Sequence, residues 1–273
     1  MSALIEYADR QRSVYDTHAT DREAAEALVG PNYDVLSQEA RHQAEFIVNE
    51  YLRRQRTAYG EEIDLSVPIL DFGCGVGRVM REVRSFGFTN VDGVDISEKM
   101  LEHAASDPML SGSRLWVSSG MDLGSAPRDH YGLIYSTICM NHISMRHTRT
   151  RILEAMAESL RPGGVVAVEF FIYPGVDSYR IPRSHARWAE NRPAHDTNSG
   201  CDVWITPDQL GDVYQDFRVF FADLQFQEFD IFDDYTVYDP EAIYPYRRNA
   251  LLISGSKGRS LALKYFGPTR TDW

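Results

Sequence analysis

A glycine-rich loop constrains the fold of this chain more than any other feature of its sequence. Residues 69–79 read ILDFGCGVGRV, in which a short apolar strand runs into three alternate glycines, Gly73, Gly75 and Gly77. Glycine permits positive φ and lets a ligand approach the backbone, where another residue would place a Cβ. The helix expected after the loop presents free amide groups that attract a carboxylate or a phosphate. The loop therefore indicates a nucleotide-like ligand, with a purely structural tight turn as the alternative.

The spacing of these glycines separates two classes of nucleotide-binding loop. It is GxGxG rather than GxGxxG, because Arg78 stands where the dinucleotide fingerprint has its third glycine. That glycine allows close helix packing beside the pyrophosphate. A nicotinamide-dependent oxidoreductase is therefore the less favoured alternative.

An acidic residue follows the loop at the spacing of a ribose-binding site. Residues 91–97 read VDGVDIS, and we interpret them as a second strand that ends at Asp95, about 20 residues past the loop. A carboxylate at that strand end can accept hydrogen bonds from both ribose hydroxyls. Ser97 is better suited to cap the helix that follows. Asp95 is therefore the strongest single prediction of a ligand-binding residue.

Strands and helices alternate from residue 69 to residue 172, which predicts an α/β fold with a parallel sheet covered by helices on both faces. A helical segment precedes this region, and a stretch rich in proline and aromatic residues follows it. We expect the first to be an N-terminal cap and the second a lid inserted after strand 5. The predicted strands are 69–72, 91–95, 114–118, 133–136, 165–172, 226–232 and 250–254, and the predicted helices include 78–86, 98–105, 150–160 and 207–224.

Composition excludes several classes of protein. The formal net charge is −12, and no concentrated basic patch occurs, so nucleic acid is an unlikely partner. Three well-separated cysteines, Cys74, Cys139 and Cys201, argue against a disulfide framework and a structural zinc site. The N-terminus lacks the apolar core of a secretory signal, and no apolar run is long enough to span a membrane. We expect a cytoplasmic protein without a membrane partner.

Five motifs, in order and at family spacing, resemble a class I S-adenosylmethionine-dependent methyltransferase. They are the glycine loop, Asp95, SGMDL at 119–123, STICMNHI at 136–143 and LRPGG at 160–164. The resemblance implies a seven-stranded Rossmann-like sheet, mostly parallel, whose last strand is antiparallel. It also implies S-adenosyl-L-methionine as the cofactor.

The resemblance assigns the cofactor-binding residues one by one. The three glycines would lie against the methionine and sugar portions, Asp71 would anchor the loop and reach towards the amino group, and Asp95 would hold the ribose. Ser119 departs from the common pattern, because many relatives carry an aspartate there for the adenine amino group. The residues so assigned are Asp71, Gly73, Gly75, Gly77, Asp95, Ile96, Gly120 and Met121 of the adenine clamp, and Ser136 and Thr137 beside the methionine moiety.

Methyl transfer needs an acceptor held in line with the departing bond, and a general base is optional. His142 is the best-placed candidate base, because the end of the fourth strand opens onto the ligand crevice. The alternative is that His142 only packs at a helix start. Weaker candidates for the base are His147 and, in the lid, His185 and His195, whereas Asp202 in the lid could instead position an amine.

We predict no metal site, because Ile138, Cys139, Met140 and Asn141 precede His142 and supply no pair of hard oxygen ligands. Adjacent acids at 233 and 234 point to opposite faces if they lie on a strand. Cys74 is interpreted as a packing residue. The sequence therefore favours metal-independent transfer.

The acceptor is expected to be a small molecule methylated on oxygen, nitrogen or carbon, as in specialised metabolism. No Pro-Pro-Tyr type signature of nucleic-acid and amide methylation follows the fourth strand. A protein that binds the cofactor without chemistry is a further alternative. Aromatic residues of the lid either line an acceptor pocket or fill the lid's own core; they are Tyr173, Tyr179, Trp188 and Trp204.

The predicted domain organisation has three parts. Residues 1–60 form the helical cap, residues 61–258 form the methyltransferase domain with the lid at 173–206, and residues 259–273 form a C-terminal tail. The oligomeric state is left open.

Overall fold

A computed structural model describes residues 2–27, 33–59, 63–172, 187–190, 203, 205–231 and 248–257. Its centre is a seven-stranded sheet with the strand order β3-β2-β1-β4-β5-β7-β6. The first five strands pair in parallel, and β7 is antiparallel to both of its neighbours. The strands are β1 Ile69–Phe72, β2 Val91–Asp95, β3 Leu115–Val117, β4 Tyr131–Ser136, β5 Leu160–Ile172, β6 Ala222–Ile231 and β7 Arg248–Ser256. The predicted fold class is confirmed.

Helices cover both faces of the sheet, since strands β1, β2 and β4 are buried at every residue. One apolar core packs α3, α4 and α5 against the sheet, and a second packs α6 and α7 against the opposite face. The helices are α1 Ser2–His18, α2 Arg22–Ala27, α3 Tyr33–Tyr59, α4 Arg78–Ser85, α5 Glu98–Ala105, α6 Arg146–Ser159 and α7 Leu210–Arg218. Short 3-10 helices lie at Pro108–Leu110, Cys139–His142 and Pro207–Gln209.

The predicted helix at 207–224 is wrong at its C-terminal end. The helix ends at Arg218, and the amides of Phe220 and Phe221 turn back onto the Phe217 carbonyl. Strand β6 begins at Ala222, and Asp223 takes a positive φ of 52° where the pairing with β7 is irregular. The apolar residues that would have extended the helix therefore belong to the turn and the strand.

Other boundaries differ by a few residues. Strand β3 is shorter than predicted, and just before it the backbone amide of Arg114 donates to the Asp92 carboxylate at 2.9 Å. Strand β4 begins at Tyr131, and α6 begins at Arg146. Strand β5 begins at Leu160, and an irregularity around Gly163, whose φ is 76°, separates its first pair from the regular ladder.

Only part of the expected lid lies among the described residues. Trp188 is fully buried, stacks edge-on against Phe170 with ring centroids 5.1 Å apart, and donates from Nε1 to Asp216 at 2.8 Å. It therefore fills the core rather than lining a pocket. The other lid candidates, Tyr173, Tyr179, His185, His195, Asp202 and Trp204, lie outside the described residues, as do residues 233, 234 and 259–273. The domain boundaries remain predictions.

Helices in the described ranges are all too short or too polar to cross a membrane.

Candidate cofactor and acceptor site

The glycine loop turns sharply at the end of β1. Gly73, Gly75 and Gly77 have φ angles of 77°, 52° and 82°, in the left-handed region. A Cβ on Gly73 would lie 2.3 Å from Cys139 Sγ, and one on Gly77 would lie 2.2 Å from a Leu110 methyl. A Cβ on Gly75 would meet nothing within 4 Å. Packing therefore requires two of the glycines, and the third faces open space that a ligand can enter.

Asp95 lies at the end of β2 beside this loop. One carboxylate oxygen accepts the Gly75 amide at 2.8 Å, and the other accepts the Ser97 amide at 2.9 Å. Burial raises the pKa of Asp95, whereas the amides of Ser97, Gly75 and Ile96 lower it and Asp16 raises it. A carboxylate has about four acceptor positions, so beside these three amides one remains for a ligand hydroxyl. This geometry fits the ribose-binding role predicted for Asp95.

Asp71 is buried on β1, in register with Gly93 and Tyr135. Burial raises the pKa of its carboxyl to about 8, the Tyr135 hydroxyl lowers it, and Asp95 raises it. A cation brought close would favour the ionised form. The predicted contact of Asp71 with the amino group of a ligand would therefore shift this carboxyl towards its ionised form.

A tight turn follows β3 and carries Gly120 and Met121. Asp122 organises it by accepting the Ser119 amide at 3.0 Å, the Ser119 hydroxyl at 2.6 Å and the Gly124 amide at 2.9 Å. Gly120 has a φ of 94°, and Met121 is half-buried. Sequence reasoning missed Asp122, although an Asp two residues before a Gly is a typical turn signal.

The loop after β4 brings His142 to the same edge of the sheet. Ser136 is buried as the last residue of β4, and Thr137 is half-buried. The His142 ring is half-buried and stacks edge-on with Tyr15 of α1, with ring centroids 6.2 Å apart. His147 is exposed on α6. The structure therefore brings His142 to the crevice edge together with the end of β4.

Helix α1 lies across the crevice, which the sequence did not reveal. Arg12 donates to the carbonyls of Ile96, at 3.2 Å, and Ser118, at 3.4 Å. Asp16 accepts the Ser97 hydroxyl at 2.6 Å, and Ser97 caps α5 by accepting the Met100 amide at 3.2 Å. The contacts of Arg12 and Asp16 join residues more than 80 positions apart, so no local sequence pattern predicts them. Helix α1 of the predicted cap thus packs against the residues that follow β2 and β3.

Two predictions about individual residues can be compared directly with the geometry. Ser97 is the helix cap that we expected. Cys74 is buried in the core, and burial raises the pKa of its thiol. In the described part of the chain, no group of three or more histidine, cysteine or acidic side chains is arranged to hold a metal ion.

The fold and the site together define a Rossmann-like protein whose crevice suits a nucleoside-containing ligand. The glycine loop, Asp95 and Asp71 lie along one edge of the sheet, at the carboxyl ends of β1 and β2. Ligands of open α/β sheets bind at this edge.

Comparisons with known proteins specify the class. Residues 69–164 match a family model described as a methyltransferase domain. Two curated relatives are N-terminal Xaa-Pro-Lys N-methyltransferases 1. The one from Xenopus tropicalis is 25% identical over 44% of this chain and 54% of its own. The one from Homo sapiens is 28% identical over 37% of this chain and 45% of its own.

A solved structure shows the same fold. It is phosphoethanolamine N-methyltransferase 2 of Haemonchus contortus in complex with S-adenosyl-L-methionine, 14% identical, with a TM-score of 0.51 over 77% of this chain and 52% of that one. The chain thus spans about half the length of the curated relatives it matches. Residues 69–164 thus match a methyltransferase domain, and the sheet has the fold of a methyltransferase solved in complex with S-adenosyl-L-methionine.

Proposed function

We propose that this chain is a methyltransferase that transfers the methyl group of S-adenosylmethionine to a small-molecule acceptor without a metal ion. One observation carries the proposal: Asp95, the predicted ribose-binding residue, and the loop that carries His142 lie at the same edge of the sheet, under α1. This arrangement supports a proposal in which the predicted donor-binding residues and a candidate proton acceptor act together.

The residues of the chain suit the parts of the cofactor. Asp95 would hold the ribose, and Asp71 would face the amino group. At Gly75, where no atom lies within 4 Å of the Cβ position, the cofactor could approach the backbone closely. Gly120 and Met121 would bound the adenine. When bound, the cofactor supplies a methyl group on a positively charged sulfur.

The remaining task of the chain is to position the acceptor and to remove its proton. Positioning alone can contribute about 7–11 kcal/mol to such a displacement. His142 would accept the proton of a hydroxyl or an ammonium as the acceptor atom approaches the methyl carbon. Its place after β4, next to Tyr15, puts a titratable ring at the mouth of the crevice.

Two features favour a small acceptor. Tyr7 and Tyr15 of α1 lie against residues 138–144, which we call the His142 segment. These contacts restrict access to this part of the crevice. The net charge of −12 opposes a nucleic-acid acceptor and favours a neutral or cationic molecule.

The amino terminus of a peptide is the second candidate acceptor, because the curated relatives carry that activity in their names. An amine attached to a peptide would have to reach His142 past α1. The small molecule and the peptide therefore differ as acceptors, because only the peptide requires a crevice that admits a polypeptide beneath α1.

Methyl transfer from labelled S-adenosylmethionine tests both candidates. We expect product with members of a panel of small amines, phenols and alcohols, and none with a peptide that begins Xaa-Pro-Lys. Transfer to the peptide alone would contradict the small-molecule proposal.

Substitution of His142 tests its proposed role. With an accepted substrate, His142→Ala should lower kcat by about 100-fold, in line with the usual contribution of a general base, and leave the Kd for S-adenosylhomocysteine within threefold. The matched control is His147→Ala, which removes an exposed histidine five residues away and should keep full activity. Equal rates for the two variants would show that His142 is not the base.

A further inference from the structure

Three consecutive carbonyl groups in the His142 segment are each held by a different part of the molecule. The Asn141 carbonyl accepts the amide of Val203 at 2.8 Å. The His142 carbonyl accepts the hydroxyl of Tyr7, on α1, at 3.1 Å, and the Ile143 carbonyl accepts Arg149, on α6, at 2.5 Å. Two of these three contacts, those of Tyr7 and Val203, come from residues distant in sequence.

The local backbone needs such restraint. Ile138, which begins the segment, has a φ of 60°, a conformation that a β-branched residue rarely adopts. Strained backbone of this kind persists only where the surrounding structure holds it. The position of His142 therefore depends on its distant partners more than on its own sequence.

Tyr7 makes the most extensive of these contacts. Its buried hydroxyl donates to the His142 carbonyl and accepts the amide of Ser144 at 2.9 Å, so it bridges both sides of Ile143. The Ser144 hydroxyl lies 3.2 Å from the same oxygen. One phenol oxygen thereby holds the segment at two points.

The helix that carries Tyr7 is fastened to the cofactor side of the crevice. Arg12 holds the carbonyls after β2 and β3, and Asp16 holds Ser97. Ala8 lies against Gly120, since a Cβ on that glycine would come within 2.9 Å of the Ala8 methyl group. Because α1 is one continuous helix of 17 residues, its seat on the cofactor loops also sets the position of Tyr7.

We propose that Tyr7 is a positioning residue for the transfer reaction: it fixes the His142 segment when α1 is seated over the cofactor-binding loops. Cofactor binding beneath α1 would then order the acceptor end of the crevice. The catalytic part of this inference rests on the proposed function, with His142 as the base. The structural part, that Tyr7 links α1 to the segment, does not.

Tyr7→Phe removes the hydroxyl and keeps the ring. Hydrogen–deuterium exchange, with and without S-adenosylhomocysteine, measures the structural part without any acceptor. In the wild type we expect the ligand to slow exchange at residues 139–144 and at 73–77. In Tyr7→Phe the slowing should persist at 73–77 and fall at least fivefold at 139–144.

Tyr131→Phe is the matched control. It removes another buried tyrosine hydroxyl, which donates to Asp92 at 3.1 Å on the sheet, outside the His142 segment. It should lose stability without changing the exchange of residues 139–144. An equal change in the exchange of residues 139–144 in Tyr7→Phe and Tyr131→Phe would show that Tyr7 has only a general structural role, and would overturn the proposal.

Kinetics test the catalytic part. Tyr7→Phe should lower kcat by about 10- to 100-fold, the scale of a misplacement of about 1 Å, with the Kd for S-adenosylhomocysteine within threefold. Combined with His142→Ala, it should add no further loss, because both substitutions act on one group. Full multiplication of the two losses, or wild-type kcat in Tyr7→Phe, would overturn the proposal.

The two proposals can fail separately. If His142→Ala is fully active, the base assignment of the proposed function is wrong, and the exchange result still decides whether Tyr7 holds the segment. If Tyr7→Phe does not fold, Arg12→Ala replaces it, because it loosens α1 and leaves the phenol intact. That variant should also lose the ligand-dependent slowing at 139–144, and retained slowing would overturn the link.

Discussion

At the scale of single residues, the alternate glycines of the loop have different reasons to be glycine. Gly73 combines a positive φ with a neighbour, Cys139, that leaves no room for a Cβ, whereas Gly75 has the positive φ alone. We predict that Gly73→Ala lowers the free energy of unfolding by about 3 kcal/mol, through overpacking and strain together. Gly75→Ala should lower it by about 1 kcal/mol, through strain alone.

Urea denaturation of the two variants measures this difference. The slope of the free energy of unfolding against urea concentration should equal that of the wild type in both variants, which checks that they unfold in the same way. Equal losses of stability in Gly73→Ala and Gly75→Ala would show that the contact with Cys139 does not constrain the loop.

Residues with local signals could be predicted from the sequence, and residues brought in by the tertiary fold could not. Asp95 and Ser97 follow a strand and precede a helix, so their spacing specifies their places. Tyr7 and Arg12 reach the crevice from the other end of the chain. The residues next to Tyr7 and Arg12 in the sequence do not predict these contacts, because the contacts depend on how α1 packs.

At the scale of elements, α3 packs against the sheet through a buried polar contact. Gln43 of α3 donates from its amide nitrogen to both carboxylate oxygens of Glu169 on β5, at 3.2 and 3.0 Å. Burial raises the pKa of Glu169 to about 8, Glu39 raises it as well, and Gln43 lowers it. The folded protein therefore binds a proton that the unfolded chain releases near pH 4.5.

This proton gives the element contact a pH dependence. Below pH 4.5 Glu169 is neutral in both the folded and the unfolded chain, and the wild type has its full free energy of unfolding. As the pH rises towards 8 this free energy falls, because Glu169 ionises in the unfolded chain before it ionises in the folded one. Glu169→Gln stays neutral, so we predict equal stability near pH 4.5 and an advantage for the variant of about 4 kcal/mol at pH 8. Glu102→Gln, on the exposed surface of α5, should show no such trend.

Denaturation at a series of pH values checks this prediction. A constant difference between Glu169→Gln and the wild type from pH 5 to pH 8 would contradict the raised pKa of Glu169.

The type of an element could be predicted where the hydrophobic pattern agreed with the capping and turn residues at its ends. Where the two did not agree, the predicted boundary was wrong. The bounds of β1, β2 and α5 match their predictions, because glycines, Asp95 and Ser97 mark their ends. Residues 217–226 read FRVFFADLQF, a run without glycine or proline that suits a helix or a strand. The break at residues 219–221 follows from packing of Phe220 and Phe221 into the core, which the sequence does not display.

At the scale of the whole molecule, the sheet order and the cofactor class follow from motifs spread over about a hundred residues. The cap was predicted as helical, but its place across the crevice became known only from the fold. This placement makes the N-terminal helices part of the site rather than an appendage. Activity should therefore depend on the contacts of α1 as well as on the methyltransferase domain.

The most direct test of the account is calorimetric titration of the purified chain with S-adenosylmethionine and S-adenosylhomocysteine, with NADH as the control ligand. The account predicts binding of both sulfur ligands, none of NADH, and a loss of at least tenfold in affinity for Asp95→Ala, with Glu102→Gln unchanged. Binding of NADH in place of the sulfur ligands, or wild-type affinity in Asp95→Ala, would contradict the assignment of the crevice.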